Sequence, residues 1–394
     1  MFVIIFPIFF VHNNLILIIK KYIFRNDFFI NLKIKSLTLN PLLSSYKLNI
    51  MKVSIGYKDI KGPWGGGINF SRQLIKHLEK ENIDTTSQLN DPDIDIILLT
   101  EPRRYTESSS FNHLDIKNYI LEINKDVIVI NRINECDERK NSKGLNKFLI
   151  SSSQISDHTI FISDWLSDLF IKQGFSKNSY STIHNGADGE IFFPNNRNKL
   201  SQKLKIVTHH WGNNENKGFK VYKLLDELLD KTEIKENFEF TYVGNLPENL
   251  SFKNVQVLSP MNSKNISEYL RNCDIYITGS ENEPAGMHHI EGAMCGLPLL
   301  YMKSGGVNEY CENYGIEYNI DNLEEKLFEL KNNYQTYKTK LVDYKFTGKS
   351  MVDNYFSLFK KLYENKKDFV KDRNKIKNMN LQNQYKILNK DFFI

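Results

Sequence analysis

CDIYITGSENEPAGMHHIEGAMCGLPLLYMKSGGVNE, residues 273–309, is the stretch whose reading decides the fold. It opens on an apolar run, 274–278, short enough for a buried strand. A polar turn follows, Gly279-Ser280-Glu281-Asn282-Glu283-Pro284. A helix is expected over about 285–295, because Pro284 suits a first turn and Gly296 a C-terminal stop. A second apolar run, 297–301, leads to Ser304-Gly305-Gly306. Strand, helix and strand in so short a span imply one parallel βαβ unit.

The turn before the helix carries the chemistry. The backbone N–H groups of Gly286, Met287 and His288 would point out of the helix start, where anions bind. Glu283 stands just before that start, and Glu291 follows with seven residues between. At the helical repeat Pro284, Met287, His288 and Glu291 share one face. Two acids flanking a phosphate-binding helix end suit a nucleotide diphosphate-sugar. Two glutamates so spaced are also common on solvated helices. The strand before them and the Gly-Leu-Pro and Gly-Gly turns after them make this pattern specific.

The stretch resembles the E-x7-E region of family 4 retaining glycosyltransferases. The matching residues are Glu283, Glu291, the run Glu-Gly-Ala-Met-Cys-Gly-Leu-Pro at 291–298, and Gly305-Gly306 with Glu309. The resemblance, over roughly 51–361, implies the α/β GT-B fold: two Rossmann-like domains facing a central cleft. It implies transfer, with retained configuration, of a sugar from a nucleotide diphosphate donor to a glycan or lipid-linked acceptor. Lys217-Gly218 match the family's Lys-Gly, whose lysine reaches the diphosphate. The Arg that family members carry in that loop is absent, with His209 and His210 nearby. Glu283 and Lys217 are thus the expected catalytic residues, Glu283 touching the donor sugar and Glu291 the ribose hydroxyls. Gly66, Gly67, Gly244, Gly286, Met287, His288 and Glu291 form the expected donor-binding set. The missing Arg keeps a rival open, a non-catalytic sugar-nucleotide-binding subunit. A sugar-nucleotide epimerase on the same fold is the other.

The chain around this stretch fits two domains. Its 394 residues, 41% hydrophobic and 25% charged, are ordinary for a globular protein with two cores. Cys136, Cys273, Cys295 and Cys311 contain no C-x-x-C pair, which suits a reducing cytoplasm and offers neither a disulfide framework nor a zinc site. The net charge of +5 is unevenly placed: residues 1–50 carry +5, residues 366–394 another +5, and the body between −5. Without a basic stripe in the body, nucleic acid is not an expected partner. Asp91-Pro92-Asp93 and Asp93-Ile94-Asp95 precede a strand rather than face a cleft, so neither a catalytic metal nor any other cofactor is expected.

Residues 1–50 read as an extension outside the fold, with Met51 the natural start of a first strand. The apolar run 2–11 breaks at His12-Asn13-Asn14, short of the ~20 residues a spanning helix needs. No signal-peptide pattern accompanies it. A membrane anchor is the alternative. Strands are expected over 52–56, 94–100, 127–130, 158–162 and 181–184 in an acceptor domain, 51–198. Gly62-Pro63-Trp64-Gly65-Gly66-Gly67 follows the first strand, where glycines let a backbone approach a ligand. The polar cluster after residue 130 makes Arg132 and Asp137 acceptor-side candidates. A nucleotide-sugar domain is expected over 199–349, with strands at 205–209, 238–243 and 254–258. A crossover helix, 350–365, presents Tyr355, Leu358, Phe359 and Leu362. The tail 366–394 is expected to be frayed and solvated, a weak contact with anionic lipid at the inner membrane face being its alternative.

Overall fold

Short apolar runs bounded by polar turns build two parallel sheets. The computed structural model describes residues 51–60, 66–104, 106–176, 179–195, 202–370 and 373–381. The first sheet contains β1 (Lys52–Ile55), β2 (Asp84–Thr86), β3 (Ile96–Leu99), β4 (Ile128–Ile133), β5 (His158–Phe161) and β6 (Tyr180–Thr182). Its order is β2-β1-β3-β4-β5-β6, with every pairing parallel. The second contains β7 (Leu204–His210), β8 (Phe238–Gly244), β9 (Gln256–Leu258), β10 (Ile275–Thr278), β11 (Leu299–Met302) and β12 (Gly315–Tyr318). Its order is β12-β11-β10-β7-β8-β9, again all parallel. Parallel strands are covered on both faces, and so all four residues of β3 and of β10 are buried apolar or neutral side chains.

Helices join the strands. In the first domain they are α1 (Gly66–Lys80), α2 (His113–Glu122), α3 (Asp137–Lys140), α4 (Leu145–Ser153) and α5 (Asp164–Lys172). In the second they are α6 (Phe219–Leu228), α7 (Thr232–Asn237), α8 (Ser263–Leu270), α9 (Met287–Met294), α10 (Val307–Cys311), α11 (Leu323–Asn332) and α12 (Tyr334–Lys340). Ser163 caps α5 by accepting the Leu166 N–H at 3.3 Å, the role its position predicts. Each sheet reverses its winding once, between β1 and β3 in the first and between β7 and β10 in the second. Ligands of such sheets gather beyond the strands' carboxyl ends at that reversal.

A long helix, α13 (Gly348–Glu364), returns from the second domain to the first. Its Met351, Val352, Tyr355, Phe359 and Leu362 join the core of Val53, Ile55, Phe70 and Leu74. Leu358 is only partly buried against that core. Five such side chains contribute on the order of 10 kcal/mol of gross transfer energy before the cost of ordering them. Where the chain crosses outward and back it runs beside itself: the Gly348 N–H donates to the Ala187 carbonyl at 2.7 Å. The described residues all belong to one compact unit.

Two expectations need correction. The tail is not frayed from Lys366: α14 (Lys366–Phe369) and α15 (Asn374–Lys377) pack on the first domain, with Ile376 and Leu381 buried. Arg373 anchors them through Asp157 and the Val127 carbonyl. Likewise, β4 does not end at Ile130 but continues through Asn131 and Arg132 to Ile133. Residues 1–50, 61–65 and 382–394 lie outside the described residues, and with them the extension, Trp64-Gly65 and the end of the tail. Among the described residues no helix is long and apolar enough to cross a membrane.

Candidate functional site

The reversal between β7 and β10 brings together two loops that the sequence keeps more than sixty residues apart. After β7 a single 3-10 turn, Glu215–Lys217, ends at Gly218, whose φ of +91° lies in the left-handed region. A Cβ at Gly218 would stand 2.4 Å from the carbonyl carbon of Gly279 in the loop after β10, so only glycine lets the loops close. The Glu281 N–H donates to the Asn216 carbonyl at 2.8 Å and ties them. Lys217 and Glu283 are thereby buried face to face, Nζ to Oε2 at 2.8 Å.

A second cation reaches the same carboxylate from the other domain. Arg139, on α3, donates Nε to Glu283 Oε1 at 2.7 Å. Asn216 Nδ2 holds α3 in place through the carbonyls of Glu138 and Arg139, at 3.1 and 2.9 Å. Burial alone would raise the Glu283 carboxyl, but Arg139 and Lys217 together outweigh it and hold the group far below the usual carboxylate range. Burial pushes the Lys217 ammonium below the usual lysine range, and Glu283 only partly restores it. Behind Arg139 a chain of ion pairs links Glu101, Arg103, Glu135 and Lys140.

The helix start lies beside this group. α9 begins at Met287 with Gly286 at its N-cap and no side chain capping its first N–H groups. One turn on, Glu291 Oε2 meets His209 Nε2 at 2.8 Å. The Tyr276 hydroxyl accepts the His209 backbone N–H and lies against Nδ1, each at 3.0 Å. Facing a carboxylate, which only accepts, Nε2 is the donor to Glu291. His210 turns into the core onto the Tyr222 hydroxyl at 2.6 Å, and burial drives its pKa well down.

The expected donor set divides between contact and support. Gly66 and Gly67 open α1, and a Cβ at Gly66 would stand 2.8 Å from Met287 Cγ, so the first domain abuts the start of α9. The His288 side chain is buried, with Nε2 on Thr278 Oγ1 at 2.9 Å; only its backbone N–H belongs to the helix end. Gly244, at φ +147°, allows β8 to pass the His210 carbonyl, which a Cβ would meet at 1.9 Å. That places it in the sheet, against β7. His289 is fully buried, and neither ring nitrogen has a partner among the described residues.

The two acceptor-side candidates are internal supports. Arg132 is buried, donating Nε to the Tyr355 hydroxyl at 3.1 Å and Nη2 to Asn185 Oδ1 at 2.9 Å, with its guanidinium over Phe70. Buried at 3% exposure, it braces β4 against the returning helix. Asp137 accepts from Ser142 Oγ and from the N–H groups of Gly144, Leu145 and Asn146, which uses both oxygens to start α4. Glu309, on α10, reaches across to the first domain: its oxygens accept the Asp164 and Trp165 N–H groups at 2.8 and 2.7 Å and bond His184 Nε2 at 2.7 Å. Asp164, His184 and Glu309 bring candidate metal-ligand atoms within 4.8 Å of one another. With both oxygens of Glu309 engaged on N–H donors, this is a cap across the domains. The Arg139–Glu283 contact, the His209–Glu291 pair and the Glu309 cap are contacts that sequence reading misses.

Two parallel-sheet domains whose reversal points face each other, joined by a helix that returns to the first, define a known architecture. Sucrose-phosphate synthase from Thermosynechococcus elongatus superposes with a TM-score of 0.58 at 11% identity, covering 80% of this chain and all of that one. Anabaena HepE in complex with UDP and glucose gives 0.58 at 14% identity over 79% of this chain and all of HepE. The fold is GT-B. Within this GT-B chain, residues 220–344 match the family described as Glycosyl transferases group 1. An uncharacterized glycosyltransferase of Methanocaldococcus jannaschii is 26% identical over 213 residues, 51% of this chain. The match spans 57% of that relative's length.

Proposed function

We propose that the chain is a glycosyltransferase that moves a sugar from a nucleoside diphosphate donor to a glycan or lipid-linked acceptor. The observation that carries this reading is the group at the β7–β10 reversal. Lys217 and Arg139 converge on Glu283 beside the uncapped start of α9. As the glycosidic bond breaks, the departing diphosphate gains negative charge. Cations and N–H dipoles fixed in advance stabilise that charge without reorganising. Lys217 and the N–H groups of Gly286, Met287 and His288 would supply them. Glu291, oriented by His209, would accept from the ribose hydroxyls. Glu283 would contact the donor sugar. In this reading the anomeric configuration is retained and the cations do the work that a divalent metal does elsewhere. The group 1 match and the UDP-bound HepE likeness support a nucleotide-sugar donor. The protein would act in the cytoplasm.

Incubation with labelled UDP-, GDP- and ADP-sugars, with and without a mixed glycan and lipid-linked acceptor pool, tests the reading. Nucleotide release that rises with acceptor is the expected result. Release of isomerised donor without acceptor, or binding without release, would overturn it. Repeating the assay with EDTA should leave the rate unchanged.

A further inference from the structure

We infer that Arg139 is the second diphosphate-binding cation, delivered from the first domain. This rests on the nucleotide-sugar reading above. Arg139 belongs to the first domain and Lys217 to the second, yet both meet on Glu283, at 2.7 and 2.8 Å. One carboxylate cannot neutralise two cations. Behind them Glu101, Arg103, Glu135 and Lys140 pair among themselves. The two cations thus share a single carboxylate, in a place where water is largely excluded and a further anion is favoured.

The geometry says where that anion goes. Arg139 binds Glu283 through Nε alone, and among the described residues its Nη1 and Nη2 nitrogens make no hydrogen bond. About a quarter of its side chain, 24%, is exposed, against 6% for Glu283. A guanidinium held by Nε presents its Nη1–Nη2 edge as a ready-made fork for two phosphate oxygens. Lys217 likewise uses only one of its three N–H donors on Glu283. Asn216 fixes the backbone of α3 to the loop that carries Lys217, so the spacing of the two cations is set by main chain. An anion bridging them must touch both domains. The arginine is thus displaced in sequence and in domain from the lysine it works with, and His209 in the second-domain loop is left free to orient Glu291.

The test is titration calorimetry of the full chain with UDP, GDP and ADP and with UMP, GMP and AMP, for wild type, Arg139→Ala and Arg139→Lys. Lysine keeps the charge beside Glu283 but removes the fork. For the nucleotide that wild type prefers, Arg139→Ala should lose roughly ten- to hundred-fold in diphosphate affinity and under about three-fold in monophosphate affinity. Arg139→Lys should recover only part of that loss. Equal losses for mono- and diphosphates, or full rescue by lysine, would make Arg139 a partner of Glu283 and nothing more, and overturn the inference. If wild type binds none of the six nucleotides, the nucleotide-sugar reading itself falls and takes the inference with it. Thermal unfolding of each variant, unchanged within a few degrees, assigns the losses to binding.

Discussion

Stability should fall below pH 6.5, and four buried histidines are the reason. His158, His210, His288 and His289 are all buried, and burial is the largest cause holding each ring below its ordinary pKa. For His158 and His289 the folded value is about 4, against 6.5 for the free side chain. Between those values the unfolded chain binds a proton that the folded chain refuses. Stability is therefore complete above pH 6.5 and falls as the pH drops toward 4. At pH 5.5 each such histidine removes about 1.4 kcal/mol. His158 and His289 together remove on the order of 3 kcal/mol, a large part of the net stability of many proteins, and His210 and His288 act in the same direction. The sharpest perturbation is His289→Leu, since neither nitrogen of His289 has a partner to lose among the described residues. Urea midpoints at pH 7.5 and 5.5 are the assay. Wild type should lose several kcal/mol between them, the variant about 1.4 kcal/mol less, and the variant should be no less stable than wild type at pH 7.5. A wild-type midpoint that stays flat from pH 7.5 to 5.0 would refute the claim that these rings are neutral in the fold.

Other outcomes follow from the same contacts. Lys217→Ala should lower turnover by roughly 10²- to 10³-fold, the usual cost of one preorganised electrostatic contact, with a smaller effect on donor affinity. Glu291→Ala should do the reverse, weakening donor binding while leaving the turnover of bound donor nearer wild type; steady-state donor titrations separate the two, and unchanged kinetics in both would remove the site. Glu309→Ala leaves the Asp164 and Trp165 N–H groups uncapped and should cost about 1–2 kcal/mol in urea unfolding, with Glu309→Gln recovering part of it.

What could be read in the sequence was what lies close along the chain. The βαβ unit at 273–309 shows itself because strand, turn and helix each carry a local signature, and Lys217-Gly218 because the two residues form a local motif after a strand. The strands were legible as apolar runs. The two sheets were legible only as far as their strands: β12 and the short edge strand β2 carry weak runs, and α2 a weak apolar face. The burial of Arg132 was not legible, because its partners lie far along the chain: Tyr355 is 223 positions further on. The tail was misread for the same reason, since its composition is that of a solvated segment and its anchor, Arg373 on Asp157, spans 216 positions.

The same limit explains why the site looked half built. In sequence the loop after β7 lacks an arginine, and that absence reads as a defect. In the folded chain a guanidinium is present, carried by α3, 78 positions before Lys217, and held against that loop by Asn216. Local motifs report which element supplies a group only when the supplier is the element that carries the motif. A cleft between two domains breaks that condition, because either wall can furnish a charge. A missing cation on one wall is therefore weak evidence against catalysis until the facing wall has been inspected. Here the facing wall holds one, and the reading of a non-catalytic subunit loses the observation that motivated it.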